Sequence, residues 1–266
     1  MFYLATHELD TSPDTLEEAE SLMSAIVVVP TYNERDNIVE LTERLLGLGL
    51  ALDVVFIDDG SPDGTGKVAD DLAQSCSNVF VIHREGKLGY RSAVIEGFRV
   101  ALMGRYPWVL QMDADLSHDP AAIPALLRAA SDHDLVLGSR YIGGVRVIDW
   151  EVGRVLLSWM ANGYARTVTG LPVRDITTGF RCYRRSALEA LDLAQLKANG
   201  YGFLIEIAYQ IWRSGGCLIE VSITFYGRQK GMSKMSKRMM LEAAILVWRL
   251  RLAGGRQRNR KGWIDP

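Results

Sequence analysis

Short, continuous apolar segments alternate along this chain with segments whose apolar residues recur at helical spacing. The first apolar segment, residues 25–29, is rich in β-branched residues and stops at Pro30, as is typical of a strand buried on both faces. Further strands are predicted at 53–57, 79–82, 108–112 and 135–137, and helices at 33–48, 65–75, 92–103 and 120–130. Strands that alternate with helices predict an α/β fold, in which a mostly parallel sheet is flanked by helices.

Polar clusters follow three of these strands at the point where each strand ends. Residues 30–34 follow the first strand, Asp58 and Asp59 follow the second, and Asp113-Ala114-Asp115 follows the fourth. Because ligands of parallel sheets bind beyond the carboxyl ends of the strands, we expect the three clusters to converge on one crevice.

Asp113 and Asp115 are the most informative of these residues, because two carboxylates one residue apart can share a divalent cation. Mg²⁺ prefers oxygen ligands and usually completes its coordination with water and substrate phosphates. Such triplets also arise by chance in surface loops, but this one directly follows a buried strand. The sequence has no glycine-rich turn after the first strand and no G-x-x-x-x-G-K-[ST] phosphate loop. We therefore expect a metal and side chains to hold the pyrophosphate of a nucleotide.

After Gly138 the alternation ends, and the predicted elements are a helix at 151–169, a strand at 217–224, a basic glycine-containing loop at 227–237 and a helix at 239–252. The last helix carries apolar residues with basic residues near its ends, which suits a helix lying in a membrane interface. We expect a flexible acidic leader at 1–23, a catalytic domain at 24–238, and an amphipathic helix with a basic tail at 239–266.

The net charge of −2 conceals an uneven distribution. Residues 1–20 contain acidic side chains and no Lys or Arg, whereas residues 228–261 are rich in Lys and Arg and contain one acid, Glu242. Such a basic segment is typical either of binding to an anionic surface or of a solvated tail. Three scattered cysteines fit a reducing compartment. We expect no signal peptide, and no apolar stretch reaches the roughly 20 residues that a spanning helix needs.

Seven segments carry a resemblance to a known family: VVVPTYNERDNI (27–38), FIDDGSPDGTGKVAD (56–70), HREGKLGYRSAVIEGF (83–98), MDADLSHDP (112–120), LGSRYIGG (137–144), DITTGFRCYRR (175–185) and ITFYGRQKGMSKMS (223–236). With these motifs the chain resembles glycosyltransferase family 2 and, within it, the polyprenol (dolichol) monophosphate mannose synthases.

The resemblance implies a GT-A fold and an inverting transfer of mannose from GDP-mannose to a polyprenyl (dolichyl) monophosphate. It also implies Mg²⁺ or Mn²⁺ as cofactor, a membrane surface but no nucleic acid as partner, and a peripheral position on the cytoplasmic face of the membrane. A phosphate monoester is already anionic near neutral pH, so it attacks without a general base.

Transferred residue by residue, the resemblance implies three groups of site residues. The nucleotide-sugar-binding residues would be Pro30, Tyr32, Glu34, Ile57, Asp58, Asp59, Lys87, Asp113, Ala114 and Asp115. The metal ligands would be Asp113, Asp115 and Ser117, although relatives often carry Gln in place of Ser117. The acceptor phosphate would be bound by Arg140, Arg154, Asp175, Arg228 and Lys234, and the catalytic residues would be Asp115, Arg228 and Lys234. The chain also departs from its relatives at Tyr90-Arg91, where they carry smaller residues, and this departure bears on donor-sugar specificity.

Several alternatives stay open at this point. Asp58 or Asp59 could cap the next helix, Asp175 could orient an arginine, and we expect His118 to point away from the metal. The donor could be a UDP-sugar that carries glucose or N-acetylglucosamine. A soluble transferase with a hydroxyl acceptor would need a base, for which Asp175 and Glu206 are candidates. The chain could also be a regulator that binds a nucleotide sugar without transferring it.

Overall fold

The computed structural model describes residues 24–227 and 237–253, with side chains for all of these except residues 237–240. The strands of these residues are β1 (Ala25–Thr31), β2 (Leu52–Asp58), β3 (Val79–His83), β4 (Trp108–Gln111), β5 (Leu135–Ser139), β6 (Val147–Ile148), β7 (Arg181–Arg184), β8 (Leu218–Ser222) and β9 (Phe225–Tyr226). The predicted leader, the segment 228–236 and the tail 254–266 lie outside the described residues.

A seven-stranded sheet forms the centre of the molecule, in the strand order β3-β2-β1-β4-β7-β5-β8. β1 pairs in parallel with β2 and with β4, β2 pairs in parallel with β3, and β5 pairs in parallel with β8. β7 runs antiparallel between β4 and β5. A second, two-stranded parallel sheet joins β6 and β9. The prediction of an α/β fold with a mostly parallel sheet is therefore confirmed.

The helices of the described residues are α1 (Arg35–Leu46), α2 (Thr65–Ser75), α3 (Tyr90–Met103), α4 (Ile123–Ala130, after a 3₁₀ turn at Pro120–Ala122), α5 (Val152–Thr169), α6 (Arg185–Glu189), α7 (Tyr201–Arg213) and α8 (Lys237–Ala253). α8 packs against α7 and α5. Over the ranges 24–227 and 237–253, no helix is both long enough and apolar enough to cross a membrane.

Two apolar clusters cover the two faces of the sheet, and β1 supplies side chains to both. Ile26 and Val28 lie in one cluster with residues of α3 and α7, while Val27 and Val29 lie in the other with residues of α1, α2 and α4. Burial on both faces is why β1 is an uninterrupted apolar run. α3 lies very close to β1, because a Cβ built on Gly97 would come 2.2 Å from a Val28 methyl carbon.

Five elements of the described residues were not predicted from the sequence: the short β6, β9 and α6, and the buried β7 and α7. β7 has the sequence Arg-Cys-Tyr-Arg, and its charged ends conceal a buried strand. The Arg181 side chain is nevertheless fully buried and donates to the carbonyl oxygens of Thr178, Leu204 and Ile176. α7 is buried along most of its length, so it lacks the polar face that marks a helix at a surface.

Candidate active site

A cavity of about 430 Å³ opens beyond the carboxyl ends of β1, β2 and β4. All three polar clusters reach it, and its lining includes Pro30, Thr31, Tyr32, Glu34, Asp59, Asp113, Ala114, Asp115 and Ser117. The cavity is also lined by cationic and aromatic residues, namely Lys87, Tyr90, Arg140, Trp150, Arg154 and Phe225. The clusters therefore converge on one crevice, as their positions after the strands predict.

The carboxylate of Asp115 is held by a tight turn that follows β4. The backbone N–H of Ser117 donates to Asp115 Oδ1 over 3.2 Å, and the Ser117 hydroxyl donates to the same oxygen over 2.5 Å. Leu116 between them has a φ of 59°, in a region that side chains other than Gly rarely occupy. The turn thus fixes the direction of Asp115, and Ser117 acts on the carboxylate directly.

Asp113 is bounded by Tyr90, the first residue of α3. The Tyr90 hydroxyl lies 3.3 Å from Asp113 Oδ1. Burial, together with the charge of Asp113, raises the pKa of Tyr90 well above its ordinary value, so the phenol stays protonated. Sequence reasoning noted Tyr90 only as a departure from relatives and did not place it against Asp113.

His118 is buried and also lines the cavity, so the expectation that it points away from a metal stays a prediction. Its ring stacks on Phe180 at a centroid distance of 5.1 Å and meets the edge of Phe225 at 5.3 Å. Its Nδ1 accepts a hydrogen bond from the backbone N–H of Asp113 over 3.3 Å. Burial lowers the pKa of His118 to about 4, so the ring is neutral at pH 7.

The first polar cluster forms another part of the cavity wall. The Lys87 ammonium lies 4.0 Å from the centroid of the Tyr32 ring. Glu34 is nearly buried, and its Oε2 accepts from the Asn37 side chain over 2.8 Å. The buried hydroxyl of Thr31 also lines the cavity and has no hydrogen-bond partner within the described part of the chain. Thr31, which the sequence did not single out, is therefore a further candidate for contact with a ligand.

Asp59 reaches the cavity and also holds the loop of residues 84–89, between β3 and α3. Its Oδ1 accepts from the backbone N–H of Leu88 over 2.9 Å, and its Oδ2 accepts from that of Gly89 over 2.7 Å. The guanidinium of Arg84 donates to it as well, with both side chains almost fully buried. Because this loop contains Lys87, Asp59 positions a cation at the cavity.

Two residues predicted to bind the nucleotide have side chains that do not line the cavity. Ile57 is fully buried in the apolar core. Asp58 accepts hydrogen bonds from the backbone N–H and the hydroxyl of Ser61, so it stabilises the turn after β2. The capping role that was considered for Asp58 or Asp59 falls to Asp63. Its carboxylate accepts a hydrogen bond from the N–H of Thr65, the first residue of α2, over 2.9 Å.

Arg140 and Asp175 form a buried, two-pronged ion pair beside the cavity. Arg140 Nε and Nη2 each lie 2.6 Å from one oxygen of Asp175, and the backbone N–H of Arg140 donates to Oδ2 over 3.0 Å. Burial alone would lower the pKa of Arg140, but the charge and hydrogen bonds of Asp175 raise it above its ordinary value. Asp175 is fully buried and does not line the cavity, so it acts by orienting Arg140.

A second cation stands near Arg140. Arg154 is exposed in the first turn of α5, and its guanidinium lies 4.0 Å from the centroid of the Trp150 ring. Arg140 lies 5.6 Å from the same ring and 5.4 Å from that of Phe225. These aromatic rings hold the two guanidinium groups by cation–π contact. Neither Trp150 nor Phe225 was predicted.

The small β6–β9 sheet connects the part of the cavity wall around Asp115 with the part around Arg140. The backbone N–H of Tyr226 donates to the carbonyl of Ser117 over 3.0 Å, and the N–H of Gly227 donates to that of Ile148 over 2.8 Å. The chain that leads into residues 228–236 is therefore attached to the Asp115 turn and to the loop after Arg140. Arg228 and Lys234 themselves lie outside the described residues.

The two candidates for a general base are engaged in structural contacts. Asp175 is paired with Arg140, as described above. Glu206 Oε2 accepts from the backbone N–H groups of Lys197 and Ala198, each over 3.0 Å. The geometry thus favours a reaction in which neither carboxylate removes a proton.

The carboxylates of Asp113 and Asp115 are oxygen donors of the kind that Mg²⁺ and Mn²⁺ prefer. In the part of the chain that the structure describes, no group of three or more His, Cys, Asp and Glu side chains is arranged to hold a metal. The two carboxylates fit a cation that takes its remaining ligands from substrate phosphates and water.

Comparisons with known proteins agree with this geometry. Residues 26–192 match the family described as Glycosyl transferase family 2. The chain is 41% identical over 231 residues to an undecaprenyl-phosphate mannosyltransferase of Micrococcus luteus, covering 87% of this chain and 95% of the relative. It is 40% identical over 230 residues to a polyprenol monophosphomannose synthase of Mycolicibacterium smegmatis, covering 85% of this chain and 87% of that protein.

The fold is similar to that of a solved enzyme, glucosyl-3-phosphoglycerate synthase from Mycobacterium tuberculosis. Its complex with phosphoglyceric acid superposes with a TM-score of 0.66 at 20% identity, covering 92% of this chain and 85% of the other. A second crystal structure of that enzyme, with a TM-score of 0.63, contains Mn²⁺ and UDP-glucose. These structures support the GT-A fold.

Proposed function

This chain belongs to glycosyltransferase family 2, and from that membership we propose that it transfers mannose from GDP-mannose to a polyprenyl (dolichyl) monophosphate. The names of the relatives from M. luteus and M. smegmatis support both the sugar and the class of acceptor. The single observation that carries the proposal is the juxtaposition, in one cavity, of the carboxylates of Asp113 and Asp115 with the guanidinium groups of Arg140 and Arg154.

The carboxylate side of the cavity suits the donor. Pro30, Tyr32, Glu34 and Lys87 line the cavity. In this proposal the first three would contact the nucleoside, and Lys87 would contact its phosphates. Asp113, Asp115 and, through its hydroxyl, Ser117 would hold Mg²⁺ or Mn²⁺ at the diphosphate. When bound, such a cation stabilises the negative charge of the departing nucleoside diphosphate. Asp59 supports this side indirectly, because it positions the loop that contains Lys87.

The cationic side suits a phosphate acceptor. Arg140 is oriented by Asp175 and remains charged, and Arg154 lies beside it on Trp150. Two guanidinium groups can bind phosphate oxygens in a bidentate manner and offset the repulsion between an anionic acceptor and an anionic donor. We extend this role to Arg228 and Lys234, on the strength of their sequence motif and of the attachment of the preceding residues to the cavity.

The reaction follows from the charge of the acceptor. A phosphate oxygen of the lipid attacks the anomeric carbon of mannose and forms the new C–O bond, while the bond between that carbon and the GDP oxygen breaks. GDP leaves with the electron pair, and no proton needs to be removed from the nucleophile. Attack from the side opposite GDP inverts the anomeric centre, so an α-linked donor yields a β-linked lipid product.

The surface next to the cavity suits a membrane-bound acceptor. α5 exposes Val152, Leu156, Leu157, Trp159, Met160 and Tyr164, and α8 exposes Leu241, Ile245, Trp248 and Leu252. The two helices are joined by the Tyr164 hydroxyl, which donates to the Ala244 carbonyl over 3.0 Å. Because Arg154 lies in the first turn of α5, a lipid phosphate bound there has its chain beside an apolar stripe. We propose that the exposed apolar side chains of α5 and of α8 contact a membrane, and that residues 239–266 form the membrane-facing element of the protein.

We place the protein on the cytoplasmic face, as a peripheral protein. The Lys- and Arg-rich segment 228–261 would be attracted to the anionic lipids of that leaflet. The scattered cysteines, which are free in the structure, fit a reducing compartment.

Donor and acceptor can be tested together with the purified chain. We would incubate it with Mg²⁺ or Mn²⁺, with GDP-mannose, UDP-glucose or UDP-N-acetylglucosamine, and with vesicles that contain either polyprenyl monophosphate or unphosphorylated polyprenol. The expected product is a β-mannosyl phospholipid, detected by mass spectrometry and NMR, only from GDP-mannose with the phosphorylated lipid. Product from the unphosphorylated lipid, or from a UDP-sugar alone, would contradict the proposal.

A matched pair of variants ties the activity to this cavity. Asp115→Asn should abolish transfer because it removes charge at the metal site. Asp119→Asn, four residues away, should retain it, because the Asp119 carboxylate does not line the cavity and, among the described residues, accepts a hydrogen bond from the Ala121 N–H.

A further inference from the structure

Tyr90 lines the cavity, and the reaction proposed above leaves its hydroxyl without a role. This hydroxyl lies 2.8 Å from Gln111 Nε2 on one side and 3.3 Å from Asp113 Oδ1 on the other. Gln111 is fully buried at the end of β4, two residues before Asp113. The hydroxyl is therefore connected both to the interior of the protein and to a predicted metal ligand.

The connection continues deeper into the protein. Gln111 Oε1 accepts from the Tyr183 hydroxyl over 2.9 Å. Burial raises the pKa of the Tyr183 phenol, and the nearby charge of Arg181 opposes that rise. Arg181 is anchored by three backbone carbonyls, and both it and Tyr183 are fully buried. A hydrogen-bonded relay thus runs from the buried Tyr183, beside a fixed cation, through Gln111 and Tyr90 to the edge of the cavity.

The carboxylate at the cavity end fixes the direction of every hydrogen bond in this relay. A carboxylate can only accept, so the Tyr90 hydroxyl must donate to Asp113 and accept from the amide nitrogen of Gln111. The amide oxygen of Gln111 then faces Tyr183, whose hydroxyl donates to it. The one proton of Tyr90 is therefore directed at Asp113. Hydrogen bonds arranged head to tail in this way strengthen one another.

Gly179 closes the other side of the same contact. A Cβ built on Gly179 would lie 3.2 Å from the Tyr90 hydroxyl and 3.3 Å from each oxygen of Asp113. The glycine backbone therefore packs directly on the pair and limits how far the carboxylate can turn.

We propose that Tyr90 is a positioning residue that holds the Asp113 carboxylate in the orientation needed to receive a divalent cation together with a nucleoside diphosphate. The inference rests on the proposed function, since it assumes that Asp113 serves a metal–nucleotide complex. The relay orients the carboxylate before the ligand arrives, so binding does not have to supply the free energy needed to order it.

The test compares three Tyr→Phe variants that each remove one hydroxyl and keep the ring. Tyr90→Phe removes the contact with Asp113, and Tyr183→Phe breaks the relay two links earlier. Tyr106→Phe is the matched control, because the Tyr106 hydroxyl donates to the carboxylate of Asp53 away from the cavity. Urea unfolding of each variant verifies that it is folded.

Binding of Mn²⁺ in the presence of GDP is measured by the electron paramagnetic resonance signal of free Mn²⁺. Loss of a hydrogen bond to a charged group should weaken Mn²⁺ binding about tenfold in Tyr90→Phe. The loss in Tyr183→Phe should be smaller, because the Tyr90 hydroxyl is still present. Tyr106→Phe should bind Mn²⁺ like the unaltered chain. Equal affinity in Tyr90→Phe and Tyr106→Phe would overturn the inference.

Crystal structures without metal provide a readout that does not depend on the proposed function. Asp113 should occupy one rotamer in the unaltered chain and should turn or split between rotamers in Tyr90→Phe. An unchanged single rotamer in Tyr90→Phe would overturn the inference. If the unaltered chain binds no Mn²⁺ with GDP, the proposed function fails, and the rotamer comparison still decides the role of Tyr90.

Discussion

Asp175→Asn tests most directly how the acceptor side of the cavity is built. In the structure the two oxygens of Asp175 receive Nε and Nη2 of Arg140, each over 2.6 Å. Asn offers one acceptor oxygen, and its NH₂ group must face the guanidinium. The substitution therefore removes a charge and one of two parallel hydrogen bonds while it keeps the size of the side chain.

The size of the effect follows from burial. The side chains of Arg140 and Asp175 are only 5% and 0% exposed, so neither charge is solvated when its partner is lost. Two unit charges about 4 Å apart interact by about 4 kcal/mol at an effective dielectric constant of 20. Removal of one partner from a buried pair costs about 3–5 kcal/mol. Because Asn retains one hydrogen bond, we expect the free energy of unfolding to fall by about 3 kcal/mol.

Function should change in a way that separates positioning from base catalysis. An Arg140 that is no longer oriented should bind the acceptor phosphate more weakly, so KM for polyprenyl phosphate should rise at least about tenfold. KM for GDP-mannose should change little, because Asp175 does not line the cavity. Steady-state kinetics at varied acceptor concentration, together with urea unfolding followed by circular dichroism, measure both effects.

Glu189→Gln is the matched control. Glu189 pairs with Arg185 over 2.7 Å, but their side chains are 50% and 28% exposed. Exposed pairs contribute about 0.2–1 kcal/mol, so this variant should stay close to the unaltered chain in stability and in both KM values. Equal loss of stability in the two variants would refute the argument from burial. A normal acceptor KM in Asp175→Asn would refute the assignment of Arg140 to the acceptor.

Three further predictions concern packing, the donor side and pH. Gly97→Ala should lower the free energy of unfolding by about 1–3 kcal/mol, because its Cβ would lie 2.2 Å from a side-chain carbon of Val28 in β1. Gly163→Ala is the control and should not destabilise the protein, because the space around Gly163 is open. Similar urea midpoints for the two variants would contradict this prediction. Asp59→Asn should raise KM for GDP-mannose about tenfold by loosening the loop that carries the cavity lysine, and an unchanged KM would show that the loop needs no such support. Because burial lowers the pKa of His118 to about 4 in the folded chain, from 6.5 in the unfolded one, the unfolded state binds more protons between these values. The metal-free protein should therefore lose about 3 kcal/mol of stability as the pH falls from 6.5 to 4, as measured by urea unfolding, and His118→Gln should flatten that slope.

The sheet was predictable where burial leaves a direct mark on the sequence. β1 supplies apolar side chains to both cores, so its run of Ile and Val indicates a strand without further information. β7 was missed because its buried Arg181 is stabilised by carbonyl groups from the preceding loop and from α7. Those partners come together only in the tertiary structure, so no local sequence pattern indicates them.

The site was predictable where its residues directly follow a parallel strand. Residues that directly follow a parallel strand reach the crevice, and Asp113 and Asp115 do so because β4 ends just before them. Sequence position alone could not separate the neighbours Asp58 and Asp59, whose side chains point to different partners after β2. Trp150 could not be predicted as an arginine-binding residue, because its position depends on loops held by the β6–β9 sheet.

The attachment of residues 225–227 has a consequence for how the two substrates sense each other. The backbone there is bonded on one side to the carbonyl of Ser117 and on the other to that of Ile148. If a bound donor shifted the Asp115 turn, these hydrogen bonds would transmit the shift to residues 225–227. Binding at one half of the cavity would then change the affinity of the other half, and thermodynamic linkage requires the two substrates to affect each other's binding equally.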